Sequence, residues 1–245
     1  MKRALIVIDV QNEYVTGKLP ICSPDLFTSM PNIEVAMDKA SDAGIPLVVV
    51  THVEDASAPL FARGSTGAAL HEIMEGRTPD HTIEKSDVSS FRGTDLEDWL
   101  RASGIDTVVI AGFMTQHCCA GTARDAAALG FTVEFLSDAT GTIDLVNEAG
   151  TISAAALHTS VLVTMQSGFA AVATTEEWTL AVDAGDTLPV SNLVASGEHT
   201  RKPSRHAELH KLMTDVRAGI DADIAAGEAH QFANTLYVGE GSPSL

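Results

Sequence analysis

Basic residues are scarce in this chain: 15 Lys and Arg stand against 33 Asp and Glu, a formal net charge of −18. That shortage argues against a nucleic-acid partner, because phosphate binding needs a basic face. It also fits poorly with an anionic membrane surface. The acidity would suit a cationic substrate or adaptation to salt, but a soluble acidic surface is the simpler account. Cysteine is scarce too. Cys22, Cys118 and Cys119 are too few and odd in number for a disulfide framework. The adjacent pair would form a strained bridge at best. Long hydrophobic runs are missing, and none reaches bilayer length. The apolar stretch after Met1-Lys2-Arg3 ends at Asp9, which is too short for a signal peptide, and no small-residue cleavage site follows. The expected location is the cytoplasm. No internal repeat and no low-complexity tract is visible. What remains is a 245-residue chain, 45% hydrophobic and 20% charged. Those are globular proportions, and the length suffices for one large α/β domain with a buried core.

Apolar runs bounded by turn signals read as buried strands, and 3.6-residue periods as helices. Strands are expected at Ala4 to Ile8, Pro46 to Thr51, Thr82 to Lys85, Thr107 to Ala111, Phe131 to Leu136 and Val161 to Met165. Helices are expected at Asn32 to Ala43, Thr94 to Ser103, Gln116 to Leu129 and Asp144 to Leu157, several closed by glycine. Strands rich in Val and Ile that alternate with helices predict a mostly parallel sheet covered on both faces. This is a three-layer α-β-α, Rossmann-like architecture. Function in such sheets gathers at the carboxyl ends of the strands. The stretch from His52 to His81 reads as a long lid or binding loop. The expected domain is residues 1–185. Residues 186–245 read as a linker followed by an amphipathic helix, Arg205 to Ala226, whose apolar stripe needs a partner surface.

Three polar residues fall where strands end. Asp9 closes the first strand, where a carboxylate is costly without a partner or a task; it also reads as a turn cap. Lys85 ends the short third strand, and alone it reads as a surface lysine. Cys118 follows the strand TVVIA and the turn Gly112-Phe113-Met114-Thr115, in the first turn of the next helix. Free amide N–H groups and the helix dipole favour a thiolate there, so alkylation well below pH 8.5 is expected. A buried structural cysteine is the alternative. Cys119 lies about 100° away around the helix and cannot face the same pocket. Together the three make a nucleophile, a carboxylate to take its proton and a cation to align the pair.

The chain resembles the isochorismatase-like cysteine hydrolases, which include nicotinamidases and N-carbamoylsarcosine amidohydrolase. The resemblance rests on ALIVIDVQNEY at 4–14, EKSDVSSFRGTDLEDWLRASGIDTVVIAGFMTQHCCAGTARDAA at 84–127 and FLSDA at 135–139, and covers about residues 2–180. It implies an Asp9–Lys85–Cys118 triad. Gly112, Thr115 and Cys118 match the family's Gly-x-x-Thr-x-x-Cys motif, with Cys119 where valine is usual. It also implies a cis peptide at Phe113–Met114 and an oxyanion hole made by the Met114 and Cys118 N–H groups.

The implied activity is hydrolysis of an amide or carbamoyl C–N bond in a small molecule through a thioester, with no cofactor. Family members without the cysteine act on enol ethers, and Cys118 argues against that branch. The nicotinamidase metal pattern, Asp-x-His…His, is absent from Thr51-His52-Val53-Glu54-Asp55, so no metal is expected. A metal-assisted deamidase and a non-enzymatic homologue remain as alternatives. Gln11, Tyr14, His52, Phe61 and Phe91 are the expected substrate-binding residues. The family commonly forms dimers and tetramers, so a homo-oligomer is expected.

Overall fold

The computed structural model describes residues 1–198 together with Thr214, Val216 and Arg217. Six strands form the central sheet: β1 (Arg3–Ile8), β2 (Leu47–His52), β3 (His81–Lys85), β4 (Thr107–Phe113), β5 (Thr132–Gly141) and, after a short hairpin, β8 (Ala171–Ala173). Their order is β3-β2-β1-β4-β5-β8, and every pairing within this sheet is parallel. The first strand therefore lies at the centre, where the order reverses. In a doubly wound sheet that reversal opens a crevice at the carboxyl ends of the two strands flanking it.

Helices cover both faces. Even and odd positions of β1 divide between two cores, as alternating Cβ directions require. Leu5 and Val7 pack with Ile33 and Met37 of α1 (Leu26–Asp42) and with Trp178 of α5 (Thr175–Ala184). Ala4, Ile6 and Ile8 pack with Leu96 and Leu100 of α2 (Leu96–Ala102), with Ala123 and Ala126 of α3 (Ala120–Ala128), and with Met165 of α4 (Ala154–Gln166). All six residues of β1 are buried, so this strand needs both covers.

Two sequence expectations are corrected. The segment read as a helix from Asp144 forms instead an antiparallel hairpin, β6 (Leu145–Asn147) and β7 (Gly150–Ile152). The segment Val161 to Met165, read as the last strand, is the interior of α4. Ser153 caps that helix, its Oγ accepting from Ala156 N at 3.3 Å. A short apolar run does not separate a strand from the buried stripe of a helix. In addition, α1 begins at Leu26, ahead of Pro31, because Asp25 caps it by accepting from Thr28 N at 2.9 Å.

Residues 1–196 form one compact unit and 197–245 a second. The first core runs past the expected boundary at 185. Leu188 is buried in it, and Pro189 O accepts from Gln166 Nε2 at 3.1 Å. A short helix, α6 (Leu193–Glu198), follows in the stretch expected as linker. The predicted helix from Arg205 to Ala226 lies outside the described residues apart from Thr214, Val216 and Arg217, which are helical.

Candidate active site

Three strand ends converge at the reversal point. Asp9 follows β1 directly, with φ of 54°. Such a value is uncommon outside glycine, and Asp is among the residues that tolerate it. The turn it makes is anchored by Asp9 N donating to Val50 O at 2.9 Å. Lys85 is the last residue of β3, and the parallel register sets it beside His52 of β2. Cys118 lies beyond β4 in a π-helical turn, Thr115–Cys119, closed by Cys119 N donating to Met114 O at 3.3 Å. The sequence reading expected an ordinary first helical turn here. The wider turn precedes α3 and is one of the places where π geometry gathers at functional sites.

Chain approach at this point demands glycine. Gly112 pairs with Ile8 across β1 and β4, at φ of 110°. A Cβ at this position would lie 2.0 Å from Ile8 O. The next peptide, Phe113–Met114, is cis, as the resemblance implies.

The geometry brings the three expected residues into contact. Lys85 Nζ donates to Asp9 Oδ2 at 2.8 Å and to Cys118 Sγ at 3.3 Å. The side chains of Asp9 and Lys85 are fully buried. Burial alone would lower the Lys85 pKa, but the Asp9 carboxylate and Cys118 outweigh it and hold the ammonium above its ordinary value. Asp9 Oδ1 is buried and has no hydrogen-bond partner among the described residues.

The state of the sulfur departs from expectation. Burial first, and then the neighbouring Asp9 charge, push the Cys118 thiol up to about 12, against the opposing pull of Lys85. The balance of these effects favours the thiol over the thiolate. A helix start favours the thiolate, but burial and the nearby carboxylate both oppose it. Cys119 is fully enclosed, with its thiol raised well above the ordinary value by burial, and points into the core as expected.

The other expected residues separate into three groups. Tyr14, Phe61 and His52 form an aromatic wall. Tyr14 lies 5.2 Å from Phe61 and 5.8 Å from Phe113, and Phe61 lies 5.1 Å from His52. Burial, followed by the Asp9 charge, raises the Tyr14 pKa well above its usual value. Gln11 turns away from Asp9. Its amide donates to His52 O and Ala68 O, and its oxygen accepts from His52 N. Phe91 is not brought to the triad. It stacks on Phe131, 6.1 Å away, in the residue just before β5 and hence at the opposite end of the sheet.

Asp9, His52 and Cys118 present three donor atoms within 4.8 Å of one another, a set able to hold a metal. All three, however, lie within 3.3 Å of one atom, Lys85 Nζ. A cation already occupies the centre of the cluster, so the donor set does not fit a resident metal ion.

Sequence reasoning missed His158. From α4 its Nδ1 meets Thr115 Oγ1 at 2.9 Å, and its Nε2 meets Ser137 O at 2.9 Å. The carbonyl can only accept, so Nε2 carries the proton and Thr115 donates to Nδ1. The pair of bonds ties the Thr115–Cys119 turn to β5. Burial lowers the His158 pKa, favouring the neutral ring that this arrangement requires. No sequence signal marks it, because the residues on either side read as the end of a helix and the start of a strand.

Comparison with known proteins places these observations. Residues 3–177 match the Isochorismatase domain. A crystal structure of a Burkholderia xenovorans LB400 protein assigned to the isochorismatases shares 52% identity with a TM-score of 0.80, covering 81% of this chain and 96% of that one. The isochorismatase family protein YrdC of Bacillus subtilis is 32% identical over 177 residues, 72% of this chain and 94% of its own. Nicotinamidase 3 of Arabidopsis thaliana is 30% identical over 180 residues, 68% of this chain and 82% of its own.

Proposed function

The chain belongs to the isochorismatase family, a family of hydrolases with members that act on amides, and from that premise we propose a cysteine-dependent amidohydrolase. It cleaves the amide or carbamoyl C–N bond of a small molecule through a thioester on Cys118. One observation carries this reading. A single ammonium, Lys85 Nζ, bonds both Asp9 and Cys118, while Asp9 Oδ1 stays buried and unpartnered beside the thiol. A free acceptor next to a resting thiol is what a general base needs.

The proposed sequence conserves protons at each step. Cys118 gives its proton to Asp9 as sulfur attacks the carbonyl carbon. The Met114 and Cys118 N–H groups receive the oxyanion. Its collapse breaks the C–N bond, and the leaving ammonia or amine takes the proton from Asp9. Water then attacks the thioester and gives a proton to Asp9. The second collapse releases the carboxylic or carbamic acid, and sulfur recovers its proton from Asp9. Lys85 keeps the exchange between two neutral-sum states: carboxylate with thiol, or acid with thiolate. Tyr14 and Phe61 line the substrate side.

The test is an ammonia- and amine-release screen across amides, ureas and carbamoyl compounds, with Cys118→Ala as the blank. Turnover by the wild type and none by the variant is expected. Equal turnover by both would remove the cysteine mechanism.

A further inference from the structure

Lys85 has three N–H bonds to give, and Asp9 and Cys118 take two. The third neighbour is His52, whose Nδ1 lies 3.2 Å from Nζ. An ammonium only donates, so Nδ1 must accept, and the ring proton must sit on Nε2. Nε2 lies 2.8 Å from Glu54 Oε1, an acceptor. The two bonds together select one tautomer of a neutral ring.

The surroundings hold this ring in place. Both backbone groups of His52 are engaged by the Gln11 side chain, at 2.9 Å each. The Phe61 ring meets the imidazole edge on. Glu54 is fixed in turn, its N–H donating to Phe61 O and its carbonyl accepting from Arg63 N. Both ring nitrogens are thus engaged, one by Lys85 and one by Glu54, on a backbone that is itself fixed.

We propose that His52 and Glu54 are positioning residues that hold the Lys85 ammonium on Asp9 and Cys118. The inference rests on the cysteine-hydrolase reading above. The lysine head sits on a flexible four-carbon stem, and two acceptors leave it free to turn about them. Nδ1 completes a tripod in which each N–H has a partner. Glu54 supplies the condition for that, since a ring protonated on Nδ1 would donate toward the ammonium. His52 thus acts through Lys85, without contact with the reacting carbonyl.

The test compares His52→Leu, His52→Asn, Glu54→Ala and Glu54→Gln in the full chain. The first readout needs no substrate: the rate at which iodoacetamide alkylates Cys118 at pH 8.5, followed by peptide mass spectrometry. The second is kcat and KM on the amide that turns over fastest in the release screen. Losing an acceptor to a buried N–H is expected to cost His52→Leu roughly ten- to a hundredfold in kcat, with KM within about twofold. Alkylation should slow as well, because Lys85 pulls the Cys118 pKa down.

An asparagine oxygen can stand near Nδ1, so His52→Asn should recover most of both losses. Glu54→Ala should move both readouts in the same direction by less, and Glu54→Gln should restore them. A His52→Leu protein with raised KM, unchanged kcat and unchanged alkylation would make His52 a substrate contact and overturn the proposal. Equal losses in His52→Leu and His52→Asn would overturn it too. If His52→Leu does not fold, the Glu54 pair decides. A release screen with no turnover would count against the hydrolase reading alone, and alkylation would still decide the positioning role.

Discussion

At the residue scale, the proposed chemistry turns on the passage of a proton between Cys118 and Asp9. Sulfur at rest holds it, because burial and a nearby carboxylate both oppose the thiolate. Cys118→Ala should abolish turnover and Cys119→Val should keep most of it, as only the first sulfur bonds Lys85. Asp9→Asn should lose turnover yet alkylate faster than wild type at pH 8, because the charge that raises the thiol is gone and Lys85 remains. Slower alkylation would contradict the assigned electrostatics. Lys85→Met should lower kcat more than it weakens substrate binding.

A second prediction at this scale concerns His158, whose folded pKa lies below the ordinary 6.5 through burial. The unfolded chain binds its proton first, so stability should be full above about pH 6.5 and fall as pH drops toward the folded value. Urea titrations at pH 7.5 and 5.5 should show the loss, and a flatter difference in His158→Asn.

At the element scale, β4 and the turn after it carry the site. Gly112 is packed against Ile8 O, so Gly112→Ala must separate β1 from β4 or distort both. A cost of about 3 kcal/mol or more is expected, read as a fall in melting temperature with lost activity. The far end of the sheet is held by a different device. Arg3 of β1 bonds both carboxylate oxygens of Glu134 on β5 and also reaches Asp186 O, and Trp178 Nε1 of α5 donates to Glu134. Removing one partner leaves a buried charge, so Glu134→Ala should cost about 3–5 kcal/mol in denaturant titration. Activity per folded molecule should stay unchanged. The elements around β1, β2 and β4 were legible from their Val- and Ile-rich runs. The α4 region was not, because an apolar, charge-free helix shows neither period clearly.

At the scale of the whole molecule, the compact unit ends at residue 196, not at the expected 185. Truncation after Asp186 removes buried Leu188, worth about 1.5–3 kcal/mol as an upper figure, and should lower the melting temperature. The apolar stripe read in residues 205–226 is proposed to pack across a subunit interface. Light scattering of a truncation after Glu198 is then expected to show a smaller assembly. Unchanged mass would remove that assignment. Among the described residues, no helix is long and apolar enough to cross a membrane.

The sequence by itself determined the parallel sheet, because buried strands are written locally as apolar runs, and it marked Asp9, Lys85 and Cys118 as polar residues at strand ends that the family resemblance groups together. Only the tertiary structure decided the charge state of the sulfur, the diversion of Gln11 and Phe91, and the ring of partners around Lys85. Each of these depends on distances between segments far apart in the chain, down to the 3.2 Å that separates His52 from the lysine. Burial and Coulomb interactions act through space, and one residue's neighbours in sequence do not report them.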